Sequence, residues 1–130
     1  MTHYQLPRSK LTPLVRLDGV SNRLVFEGDC YPENPVDFFG PFLATFEAHL
    51  ERARPAEFVA DFRLRYVNSA STVTLHRLFT LLDRAAERGA QVHVNWVHDP
   101  DDDVNEELGH DLSRGCGHLE VVHVAEAEAV

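Results

Sequence analysis

Phe58-Val59-Ala60-Asp61-Phe62-Arg63-Leu64-Arg65-Tyr66-Val67-Asn68-Ser69-Ala70-Ser71-Thr72 changes its hydrophobic period midway, and the fold class follows from that change. Phe58, Ala60, Phe62, Leu64 and Tyr66 alternate with Val59, Asp61, Arg63 and Arg65, the two-residue period of a strand with one buried and one polar face. From Leu75 onward the apolar residues recur as Leu75, Leu78, Phe79, Leu82, Ala85 and Ala86, which is the stripe of an amphipathic helix. Asn68-Ser69-Ala70-Ser71 between them supplies candidate helix caps, with Asn68 and Ser71 the capping residues, and Gly89 is placed for a C′ glycine. A strand that runs straight into a helix is half of a βαβ unit, so parallel pairing is expected.

Downstream the pattern repeats. Gln91 to Val97 alternates again, with Val92, Val94 and Trp96 on one face. Asp101 to Asp103 then acidify the start of a helix marked by Val104, Leu108 and Leu112 and stopped near Gly115, and Leu119 to Val124 closes the sheet. Upstream, Phe39, Phe42, Leu43, Phe46 and Leu50 share one helical face, with Asn34 as N-cap, Pro35 at the first helical position and Asp37 in the first turn. Pro41 is expected to kink this helix or to divide off its first turn. Leu14 to Leu17 and Arg23 to Glu27 flank Asp18-Gly19-Val20-Ser21-Asn22 as a hairpin. The order predicts an α/β fold: a mixed sheet with an N-terminal hairpin, right-handed crossovers and helices mainly on one face. With 130 residues the chain suits one domain, 1–130, and 125–130 reads as a frayed tail.

The formal net charge of −9 argues against nucleic acid and against an anionic membrane surface as partners. Its distribution is uneven: Met1 to Val97 holds eleven basic and eleven acidic residues, whereas His98 to Val130 holds Arg114 against ten acidic ones. The longest run without a charged residue, Tyr66 to His76, is eleven residues, well short of the roughly 20 that span a bilayer. The first residues lack the basic and apolar regions of a signal peptide, and Cys30 and Cys116 form no CxxC pair, so a reducing, cytoplasmic setting is expected.

No motif for catalysis is present: the GxSxG elbow, GxGxxG, GxxxxGK[ST] and HExxH are all absent. A rival reading makes the chain a small metal-dependent enzyme or binder built from His93, His98, His110, His118 and His123 beside Asp99, Asp101, Asp102 and Asp103. None of these histidines falls at the i, i+4 spacing of a helical zinc pair, and the acidic run lacks the Gly and Glu registers of an EF-hand. The expectation is therefore a non-enzymatic chain without cofactor or metal. The hydroxyl-rich turn after Tyr66 caps a helix, and its hydroxyls sit where a phosphoryl group would meet free helical amides.

Four groups of residues carry a resemblance to a known family. They are Gly28-Asp29-Cys30-Tyr31-Pro32-Glu33-Asn34 with the aromatic helix through Pro41, Leu64 to Ser71, Leu78 to Asp83, and Gly89 to Trp96. In this order and spacing the chain, from about Thr12 to Val124, resembles the SiaC-like biofilm-regulation phosphoproteins of bacteria, which are related in architecture to the STAS anti-anti-sigma factors. The resemblance implies a STAS-like fold and a partner-switching role. A serine/threonine kinase and an opposing phosphatase would act on Ser69, and the unmodified chain would bind and activate a signalling enzyme, typically a diguanylate cyclase that makes cyclic-di-GMP. Tyr31, Pro32, Glu33 and Asn34 would contribute to the partner surface. Ala70 replaces a usual small hydroxyl residue and Val73 stands where a lysine is common, and both departures bear on kinase recognition and partner choice.

Overall fold

Each strand pairs with the strand next to it in sequence, because every connection is either a short loop or one helix. The structure, a computed structural model, describes residues 2–127. Its elements are β1 His3–Leu6, β2 Leu14–Asp18, β3 Arg23–Cys30, α1 Pro35–Ala53, β4 Glu57–Val67, α2 Ser69–Glu87, β5 Gln91–His98, α3 Asp103–Ser113 and β6 Glu120–Ala125. They build a six-stranded sheet in the order β1-β2-β3-β4-β5-β6. The first three strands are antiparallel and the last four run parallel. Successive crossovers advance in one direction across the sheet, so right-handedness puts their helices on a common face.

The two-residue alternation of the central strands is fully expressed in the core. Leu24, Phe26, Phe58, Ala60, Phe62, Val94 and Trp96 are buried, as are Phe39, Phe42 and Phe46 of α1 and Leu75, Leu78, Phe79 and Leu82 of α2. Phe62 sits at the centre, with ring centroids 5.6 Å from Phe26, 5.4 Å from Phe79 and 5.6 Å from Trp96. On the opposite face the charged side chains satisfy one another. Arg23 donates to Asp61 at 2.6 Å, Asn95 donates to the same carboxylate at 2.7 Å, and Arg63 meets Glu126 at 3.0 Å. Helix α3 docks onto β5 through Trp96. The indole Nε1 donates to the Asn105 carbonyl at 2.8 Å, and any Cβ added at Gly109 would collide with the same ring.

Several expectations need correction. The N-terminal hairpin is a three-stranded meander: His3 to Leu6 adds β1 to the outside of β2, anchored by Tyr4 packed at 5.5 Å on Phe42. Four residues are too few to show periodicity. Pro41 does not divide off the first turn of α1, since the helix is continuous from Pro35 to Ala53, and the Pro41 carbonyl accepts from the Thr45 hydroxyl at 3.0 Å. Tyr66 is 67% exposed instead of buried, because β4 outruns the helical cover at its carboxyl end. Val104 is likewise exposed, its place on the inner face of α3 taken by Asn105. The expected tail is in part held: Ala125 belongs to β6, and Glu126 bonds the His98 carbonyl through its N–H. Residues 128–130 lie outside the described residues.

Candidate functional site

The carboxyl ends of β3 and β4 lie side by side, and both chains turn there into helices. β3 reaches this point through an irregularity between Gly28 and Cys30, where Gly28 has φ +119° and the Arg8 guanidinium fills the space a Cβ would need. A non-glycine residue is strained at that φ. Beside it, Arg65 grips the nearly buried Asp29 through two bonds of 3.1 and 3.0 Å.

Asn68 joins the two turns. Its N–H donates to the Cys30 carbonyl at 3.0 Å and its Nδ2 donates to the Pro32 carbonyl at 3.0 Å, while its Oδ1 accepts from the Ser71 N–H at 3.0 Å. It is therefore the N-cap of α2, as the sequence pattern predicts. Removing this side chain loses the cap and orphans the Pro32 carbonyl. Asn68→Ala is expected to lower stability by about 1–2 kcal/mol in urea unfolding, against a few tenths for a cap of little importance.

Ser71 is not a capping side chain. It is the third helical residue and fully buried, and its Oγ has no hydrogen-bonding partner apart from the facing Cys30 thiol. Burial pushes that thiol up to about 11, so Cys30 is an inert core group. The hydroxyls of this stretch now separate. Ser71 and Thr74 are buried, Thr72 is half-buried and donates to the Ser69 carbonyl at 2.6 Å, and Ser69 is exposed. Ser69 is also the first residue of α2, and the first turn of this helix carries no acidic side chain, unlike α1 with Asp37 and α3 with Asp103 and Glu106. No carboxylate of the first turn complements the amide charge at this end.

Two exposed tyrosines belong to the segments that meet at this turn. Tyr31 and Tyr66 meet edge to face at 6.3 Å, 36% and 67% exposed, and Leu11, Val36 and Val73 are exposed at the same end of the molecule. Tyr31 is held there by its N–H, which donates to the Leu11 carbonyl at 2.8 Å. Within the Tyr31 to Asn34 segment the roles divide. Tyr31 and Glu33 face solvent, and Asn34 caps α1 by accepting from the Asp37 N–H at 3.2 Å. Pro32 is buried, so its ring supports the loop from beneath instead of meeting a partner. Tyr66, Val36 and Leu11 were not legible as surface residues, because alternation assigns Tyr66 to the buried face and the other two fall in no motif.

The histidines do not converge on a metal geometry: among the described residues no group of three His, Cys, Asp or Glu side chains is arranged to hold an ion. His93 pairs with Glu120 at 3.1 Å and His118 with Asp83 at 3.4 Å. His110 does gain a second imidazole, but from β6: it stacks on His123 at 4.0 Å. Burial, with the neighbouring His110 and His98, holds His123 below the usual histidine range of 6.5, opposed by Glu106. Burial and Arg52 lower His49 in the same sense. Below pH 6.5 the unfolded chain therefore takes up protons that the folded chain refuses, and stability falls as pH falls. Thermal midpoints measured from pH 7.5 to 5 are expected to decline, and His123→Gln to flatten that decline.

On the open side of the sheet a cleft of about 780 Å³ is lined by Arg8, Arg63, Arg65, Asp99, Asp101 and Asp102, a mixed set that favours neither sign of ligand. No described helix is long and apolar enough to cross a membrane.

Comparison with known proteins agrees with this fold. Residues 6–126 match the family described as SiaC family regulatory phosphoprotein. An uncharacterised protein of Pseudomonas aeruginosa strain UCBPP-PA14 is 31% identical over 117 residues, spanning 89% of this chain and 91% of the relative. The crystal structure of apo-SiaC from Pseudomonas aeruginosa superposes with a TM-score of 0.87 at 27% identity, over 96% of this chain and 100% of that one. The SiaC chain in a crystal structure of the diguanylate cyclase SiaD with its activator SiaC, from the same organism, gives 0.87 at 27% identity, over 95% and 99%. There SiaC is the activator and SiaD the enzyme. Over residues 6–126 the chain belongs to the SiaC family of regulatory phosphoproteins.

Proposed function

We propose that Ser69 is the phosphoacceptor of a partner-switching pathway, set by a serine/threonine kinase and reset by a phosphatase, and that the unmodified chain binds and activates a diguanylate cyclase. The observation that carries this reading is the exposure of Ser69 at a helix N-terminus without acidic residues, while Ser71 beside it is sealed in the core. A phosphate on Ser69 would bring about −1.5 to −2 charge to helical amides able to receive it. The SiaC–SiaD complex supplies the partner class. Tyr31, Glu33, Asn34 and Tyr66 form the contact surface, with Pro32 beneath them, and the role is regulation within the cytoplasm. Mass spectrometry after incubation with ATP and an extract of the host is expected to place one phosphate on Ser69. Modification that persists in Ser69→Ala would refute the assignment.

Glu33→Lys tests the contact surface. Glu33 is exposed and makes no contribution to capping, which belongs to Asn34, so the fold is expected to be unchanged and partner affinity to fall about tenfold through charge reversal at the rim. Unaltered affinity by calorimetry would remove Glu33 from the surface.

A further inference from the structure

Past Arg63, β4 has no β5 partner: the ladder between them ends at the Arg63–Val97 pair, yet β4 continues to Val67. The carbonyls of Leu64 and Arg65 are satisfied from elsewhere. The Nδ2 of Asn105, on α3, donates to the Leu64 carbonyl at 2.6 Å and to the Arg65 carbonyl at 2.9 Å. Asn105 is 3% exposed and is itself held twice. Its carbonyl accepts from the Trp96 indole at 2.8 Å, and its N–H donates to the Asp102 cap at 3.0 Å. Gly109, one turn further along α3, lets the helix lie directly against the same indole. A side chain without donors at 105 would withdraw the bond that the buried Leu64 carbonyl receives, and the one to the Arg65 carbonyl with it, a penalty that apolar packing does not repay.

We infer that Asn105 is a positioning residue for the phosphoacceptor turn: by fixing the last residues of β4 from α3, it sets where Asn68 and Ser69 emerge. The inference rests on the reading of Ser69 given above, and it extends the site to a helix outside the β3 and β4 turns. Asn105 sits 36 positions after Ser69 in sequence, in a segment whose other inward residues are Gly109 and Leu112.

The test compares Asn105→Leu, which keeps the volume and removes the donors, with Leu112→Ala, which loosens the same helix from its core and leaves the Asn105 donors in place. Backbone amide exchange is measured on the unmodified proteins, in residues 66–70 and in the core strand β5. Asn105→Leu is expected to speed exchange in 66–70 about tenfold relative to β5, equivalent to about 1.4 kcal/mol of local opening, whereas Leu112→Ala shifts both regions together. The initial rate of phosphate uptake from labelled ATP in host extract, at low chain concentration, is expected to drop about tenfold in Asn105→Leu relative to Leu112→Ala at equal folded fraction. Parallel behaviour of the two variants, or an unaltered turn in Asn105→Leu, would overturn the inference. Should Asn105→Leu fail to fold, Trp96→Phe keeps the aromatic core and frees the Asn105 carbonyl. A selective, smaller acceleration in 66–70 then supports the inference, and its absence ends it. Wild-type chain that takes no phosphate on Ser69 would defeat the phosphoacceptor reading alone, because the exchange measurement needs no phosphate.

Discussion

If the proposed switch operates, phosphorylation of Ser69 is expected to weaken binding to the proposed cyclase partner by about a hundredfold or more, which is about 2.7 kcal/mol, while leaving the chain itself folded and no less stable. Two environments meet at this hydroxyl. Toward the protein, the first turn of α2 offers unpaired amides and no carboxylate, so the phosphate gains about 0.3–1 kcal/mol from the helix dipole. Toward the partner, the exposed side chains at this end of the molecule include Tyr31, Tyr66, Val36 and Val73, and a chain packed on them would have to strip water from nearly two charges. Val73 contributes no cation to offset them. Calorimetric titration of unmodified protein, phosphoprotein and Ser69→Asp against the isolated cyclase separates the cases. An intermediate affinity for Ser69→Asp, with its single charge, supports an electrostatic switch. Equal affinities for the first two would end it.

Truncating Phe62 is expected to have the largest effect on the fold. Its ring is fully buried between Phe26, Phe79 and Trp96, at the junction of β3, β4, β5 and α2. Phe62→Ala removes the ring and leaves a cavity that three rigid aromatic neighbours cannot refill, a loss of about 3–5 kcal/mol. Against the roughly 5–15 kcal/mol of a whole domain, that is enough to leave the protein partly unfolded at 37 °C. Urea midpoints measure it directly. Val122→Ala on the open face, 46% exposed, is expected to stay within about 0.5 kcal/mol. A similar, small change in both variants would show that the aromatic cluster is not the centre of the core.

What was legible in the sequence is what repeats. Alternation in Phe58 to Leu64 and Val92 to Trp96, and the helical stripes of α1 and α2, place most of the core, because burial of one face leaves a period behind. Caps were legible too: Asn34 and Asn68 satisfy helix amides that lie only three residues away. Features made by distant segments were not. Ser71 looks like a cap until β3 closes over it and buries its hydroxyl against Cys30. Tyr66 looks like a core residue until the helices are seen to stop short of it, and His110 has no neighbour in sequence that foretells His123. Asn105 carries no local signal at all, since its donors serve carbonyls 41 and 40 residues away.

The unpermuted strand order bears on how the protein is made. Strands that pair only with their predecessors need no partner still inside the ribosome, so at roughly 5–20 residues per second each new strand meets a surface already waiting for it. The meander of β1 to β3 can form first, and β4 and β5 then extend it through their helices. The Ser69 turn leaves the ribosome before Trp96 and α3, which brace the end of β4. A nascent chain thus exposes the proposed phosphoacceptor before the surrounding architecture is finished, and the proposed contact surface matures only with the last quarter of the polypeptide.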